Sequence, residues 1–122
     1  IKNKTKGTII NISSQLGHIG AYNRTAYCMT KFGLEGLTKS MSLDLAKYGI
    51  RVNSIAPTKT IVNPEELIKT KKRLNLIKNK IPLKKFSTVE EIAGIALFLT
   101  SDIASSITGS SIISDGGWTA GK

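Results

Sequence analysis

A chain of 122 residues with a formal charge of +10, 40% hydrophobic and 21% charged residues is long enough for one compact domain with a real core and too ordinary in composition for a disordered segment. No run of about eighteen apolar residues occurs, which excludes a membrane-spanning helix, and the start, "IKNKTKGTIINISS", lacks the apolar stretch and cleavage site of a signal peptide. One cysteine, Cys28, excludes an internal disulfide, and one histidine, His18, leaves no metal-ligand cluster, so a reducing cytoplasm is the expected location.

The first expected element is "GTIINI", Gly7 to Ile12, a β-branched run without polar alternation, as in a strand buried on both faces of a parallel sheet. From Ala26 to about Tyr48 the pattern turns helical: Leu34, Leu37, Met41 and Leu45 recur at spacings of three and four, and Gly49 is placed to end the helix. "IRVNSIAP", Ile50 to Pro57, reads as a second strand stopped by proline, followed by an irregular stretch from Thr58 to Asn63. Pro64-Glu65-Glu66 then opens a helix that runs to about Lys80.

That helix carries much of the positive charge. Lys2, Lys4 and Lys6 supply three basic residues and the segment Lys69 to Lys85 eight more, whereas the remainder holds seven basic and eight acidic residues. The segment is mostly lysine without interleaved aromatics, so a solvated helix face is expected; a basic nucleic-acid or anion-binding module is the alternative. Beyond it, "STVEEIAGIALFLTSD" gives an amphipathic helix in which Ser87 or Thr88 caps and Glu90 or Glu91 closes a capping box. A third strand, "GSSIISDGG", ends in an Asp-Gly-Gly turn. Strands alternating with helices are the order of an α/β fold with a parallel sheet. Three strands are few for such a sheet, whose edges need covering, and an upstream portion is expected.

Within "SSQLGHIGAYNRTAYCMTK", Ser13 to Lys31, a serine pair leaves the first strand, and Tyr27 and Lys31 follow four residues apart, one turn of the same helix face. A free phenol has a pKa near 10, so Tyr27 is a poor base unless an ammonium, a helix N-terminus or a bound cation favours its phenolate. Ser14 would sit where the strand ends, at the crevice that open α/β sheets use for ligands. Its hydroxyl can orient a carbonyl or alcohol oxygen while Tyr27 exchanges the proton. Tyr and Lys four apart are common by chance, and Ser-Ser after a strand is an ordinary turn.

The context resembles the short-chain dehydrogenase/reductase family, NAD(P)-dependent oxidoreductases on a Rossmann fold. A strand ending in serine, about thirteen residues, then Tyr-x-x-x-Lys is the family's central pattern, matched by "NISS" and "YCMTK". "GIRVNSIAP" and the stretch from Ile81 to Gly117 match the following strand and the C-terminal portion. The resemblance implies the C-terminal part of a doubly wound parallel sheet, with the whole chain forming the catalytic half of one domain and residues 58–85 a substrate lid. It implies hydride transfer between NAD or NADP and an alcohol or carbonyl, with Ser14, Tyr27 and Lys31 catalytic. Tyr27 would be the acid/base, Lys31 the ribose holder that favours the phenolate, and Ser14 the group orienting the substrate oxygen. Pro57, Thr58 and Thr60 match the segment that packs on the nicotinamide, and His18 falls in the loop that often lines the substrate pocket.

Thr58 stands where the family usually has glycine, Val62 where a threonine is common, and Val89 where a proline often starts the helix; Ser87 and Thr88 can offset that last change. The family's T-G-x-x-x-G-x-G turn, its NAD/NADP-selecting residue and its active-site asparagine have no counterpart, so the chain reads as a half whose N-terminal partner lies upstream, weak toward dinucleotide when alone. A truncated, non-catalytic relic of the family is a further alternative. Small-molecule substrates, no nucleic acid, no membrane, and a homodimer or homotetramer of the full-length protein complete the expectations.

Overall fold

The computed structural model describes residues 6–62, 65 and 71–121. Its elements are β1 (Gly7–Ile12), α1 (Thr25–Ala46), β2 (Ile50–Pro57), α2 (Lys71–Lys80), α3 (Val89–Thr100) and β3 (Ser111–Ser114). The three strands form a parallel sheet in the order β1-β2-β3, with Gly7 opposite Ile50, Ile12 opposite Ile55, and Ser54 and Pro57 opposite Ser111 and Ser114. The α/β class and the parallel sheet are as the sequence predicts. The start expected for the second helix, Pro64 to Glu66, lies outside the described residues except for Glu65.

Side chains alternate along β2 and distribute its partners to the two faces of the sheet. Ser54 reaches α1 by donating to the Glu35 carboxylate at 2.7 Å. Arg51 and Asn53, on the other face, donate to backbone carbonyls in the last turn of α3 and beyond it: Arg51 to Leu99 at 2.7 Å and Asn53 to Ile107 at 2.8 Å. The central strand is therefore covered on both sides, and Val52, Ile55 and Ala56 are fully buried with Leu99 and Ala104. β1 lies at the edge of the described sheet and is only half-buried, Ile12 being exposed.

The inner stripe of α1 is polar. Its buried residues are Glu35, Thr38 and Ser42, whereas Leu37 points outward. The stripe tolerates polar groups because each finds a partner: Asn11 donates to the Thr38 hydroxyl at 2.9 Å, and Thr38 in turn donates to Leu34 at 2.8 Å. Gly49 ends the helix with a φ of +70°, a conformation a side chain would strain.

α3 begins as its sequence predicts. The Thr88 hydroxyl accepts from the Glu91 backbone N–H at 3.2 Å, and the Glu91 carboxylate accepts from the Thr88 N–H at 3.0 Å, so Val89 needs no proline's help at this start. Glu91 also pairs with Lys85, whose hydrogen bond, with that of Thr88, holds its carboxyl below the usual range. Among the described residues no helix is long and apolar enough to cross a membrane.

Candidate active site

The carboxyl ends of the strands build one open cavity of about 1070 Å³. Ser14 enters it two residues past β1, Thr58 one residue past β2, and Trp118 from the turn that follows β3. This is the end of an open parallel sheet where loops leave room for a ligand.

Ser14 is held rather than free. Ser13 extends the ladder by donating to Ile55 at 2.7 Å; Ser14 is extended and 8% exposed, and its hydroxyl accepts from the Leu16 N–H at 3.1 Å to cap the 3-10 turn Gln15–Gly17. Gly17 lets that turn approach α1: a Cβ there would lie 2.9 Å from the Ser13 hydroxyl and 3.0 Å from the Lys31 carbonyl. The serine turn is thus seated against the helix that bears the other candidates.

Asn23, with a φ of 58°, turns the chain into α1, and Arg24 precedes the helix without capping it through its side chain. Tyr27 stands in the first turn, 44% exposed, on the cavity wall. One turn on, the Lys31 ammonium lies 5.7 Å from the Tyr27 ring centroid and donates to the Ile12 carbonyl at 2.9 Å. The structure therefore brings Ser14 and Tyr27 to one cavity and anchors Lys31 beside the ring.

The other candidates separate. Thr58 lines the cavity, its backbone N–H donates to Ser114 at 3.0 Å, and its buried hydroxyl has no partner. Pro57 and Thr60 flank it but do not line the cavity; Thr60 bridges to Ser87 and donates to the Thr58 carbonyl at 3.4 Å. His18, expected at the substrate, is drawn elsewhere: its Nε2 lies 3.0 Å from the Ser111 hydroxyl and 3.3 Å from the Glu35 carboxylate, and its ring is not part of the cavity wall. A buried carboxylate that already takes the Ser54 and Ser111 hydroxyls captures the imidazole.

Sequence reasoning passed over Gln15, Arg24 and Trp118, all on the cavity wall. For Arg24 the signal was its place three residues before Tyr27; for Trp118 it was the Asp-Gly-Gly turn that folds the chain back. There the buried Asp115 carboxylate accepts from Gly117 N–H at 2.8 Å and from both the N–H and the hydroxyl of Thr119 at 2.7 Å. Burial opposes its ionisation, but the Thr119 hydroxyl and these N–H groups outweigh it and hold the carboxyl below its ordinary value.

The family profile described as enoyl-(acyl carrier protein) reductase matches residues 1–119. The chain belongs to the short-chain dehydrogenase/reductase family. It is 43% identical over 118 residues to the trans-4-hydroxycyclohexanecarboxylate dehydrogenase of Sinomonas cyclohexanicum, covering 95% of this chain and 42% of that one. The structure of 4-hydroxyisoleucine dehydrogenase complexed with NADH superposes with a TM-score of 0.91 at 40% identity, over 99% of this chain and 50% of that one. A 36% identical structure from Agrobacterium tumefaciens with bound NADP superposes with a TM-score of 0.88, over 98% of this chain and 49% of that one. This family member spans about half the length of the relatives it matches.

Proposed function

We propose that the protein carrying this chain is an NAD(P)-dependent oxidoreductase acting on an alcohol or carbonyl compound, and that this chain supplies its proton-transfer residues and, in residues 58–85, of which 63, 64 and 66–70 lie outside the described residues, its substrate lid. The observation that carries the reading is the meeting of Ser14 and Tyr27 in one cavity at the strand ends, with the Lys31 ammonium fixed against the Tyr27 ring. NADH in one structural neighbour and NADP in another support a nicotinamide cofactor.

The residues fit such a cofactor at one point independent of the catalytic three. The unpartnered buried hydroxyl of Thr58, beside a wall open to ligand, is a polar group awaiting a partner, and the carboxamide of a nicotinamide is of the right kind. Thr58 would hold the ring and Lys31 the ribose. A bound nicotinamide would supply the hydride acceptor for oxidation of the alcohol carbon and the hydride donor for reduction of the carbonyl.

The chain's own residues handle the proton. In oxidation, the Ser14 hydroxyl orients the substrate oxygen and Tyr27 Oη, as phenolate, takes the proton from it as the carbon loses its hydride; in reduction, Tyr27 returns that proton. The Ile12 carbonyl accepts from the Lys31 ammonium and holds it beside the Tyr27 ring. Tyr27 is 44% exposed on the cavity wall, within reach of a ligand. The test is spectrophotometric: the full-length protein, given NAD⁺ or NADP⁺ and a panel of secondary alcohols, is expected to raise nicotinamide absorbance with at least one. Failure with every alcohol and both nucleotides contradicts the reading.

A further inference from the structure

We propose that the cavity takes a hydroxy or oxo acid whose carboxylate is seated by Arg24, an inference that rests on the oxidoreductase reading and narrows its substrate class. Arg24 lies three residues before Tyr27, and both side chains line the cavity. Arg24 is the exposed residue that precedes α1 and Tyr27 lies in the first turn, so both reach the same cavity from one helix start. A planar guanidinium matches a carboxylate through two parallel hydrogen bonds, which a neutral carbinol or ketone cannot return.

The rest of the wall agrees in sign and in polarity. Lys80, at the end of α2, also lines the cavity, and no aspartate or glutamate does among the described residues. Leu16, Ile19, Leu74 and Ile77 face the space between, which suits a hydrocarbon skeleton better than a sugar with a hydroxyl on every carbon. Gln15 lies on the same wall, 6% exposed, and its amide oxygen Oε1 has no partner; an acceptor meets a donor hydrogen, so it bears on a ligand hydroxyl and not on the carboxylate.

Binding measured without turnover tests this apart from the oxidoreductase reading. Calorimetric titration of the full-length protein, with and without saturating NADH, compares cyclohexanecarboxylate with cyclohexanecarboxamide, which share a shape and have no carbinol to oxidise. The carboxylate is expected to bind roughly tenfold tighter or more, the range of a charge-assisted pair, and the preference to vanish in Arg24→Met. Arg24→Gln, polar and of similar reach, is the second variant should the first not fold, with the same loss expected. Equal binding of the two compounds, binding of neither, or a preference that survives both substitutions would overturn the proposal. So would a loss of NADH affinity in the variants with the preference intact, since Arg24 would then serve the dinucleotide phosphates. Absence of turnover with any alcohol would instead sink the oxidoreductase reading and leave the titration to speak for itself.

Discussion

Position 35 puts a carboxylate on the buried face of α1, and three elements close around it: Ser54 from β2, Ser111 from β3 and His18 from the loop after Ser14. Removing it leaves the buried Ser54 hydroxyl without its acceptor. Glu35→Leu is expected to cost about 1–3 kcal/mol, with Glu35→Gln milder because its amide oxygen still accepts; denaturant midpoints compare them. Gly17→Ala is expected to be destabilising too, because the Lys31 carbonyl it would meet at 3.0 Å is backbone of the helix and yields little. Ser14, Tyr27 and Lys31 were legible in the sequence through their spacing and context. Glu35 was not, since a charged residue on a helix reads as solvent-facing until the sheet is laid against it. His18 misled for the matching reason: its position in the loop was right, but its partners come from distant strands.

The α3 start is the element whose sequence code was most complete, because a capping box is local chemistry. Thr88→Ala is expected to cost about 1 kcal/mol, and thermal unfolding measures it. The strand bounds of β1 and β2 were equally legible, as β-branched runs with glycine before or proline after them. In α1 the apolar spacing found the helix, but hydrophobic periodicity cannot see a buried stripe made of hydrogen-bonded Glu35, Thr38 and Ser42. The lysines of α2 contribute locally: Lys78 and Lys80 occupy its last turn, where positive charge complements the carbonyl end of the helix. At the turn after β3, Asp115 ties stability to pH. Its native pKa is lowered, so its contribution is full above the unfolded carboxylate value and is lost as pH falls through the native one. Asp115→Asn should lower stability at neutral pH and flatten the acid limb of a stability profile; a variant as stable as the parent at pH 7, with the same acid slope, would contradict the role of the turn.

At the scale of the molecule, a β1 left at the sheet edge and a length near half that of the relatives fit a sheet continued by further strands in the full-length protein. Met29, Leu37 and Leu43 are exposed on α1, apolar surface of a kind that subunits or neighbouring elements cover. Light scattering of the full-length protein is expected to report a dimer or tetramer, and a monomer would refute that assembly. The central claim is narrower than any of these: one phenol, beside one ammonium and one serine hydroxyl, moves the substrate proton. Its most direct test is the rate of nicotinamide reduction by full-length protein carrying Tyr27→Phe, with nucleotide binding followed in parallel. The account predicts a fall of about 100- to 10,000-fold with nucleotide affinity little changed, whereas a rate near that of the parent would contradict it.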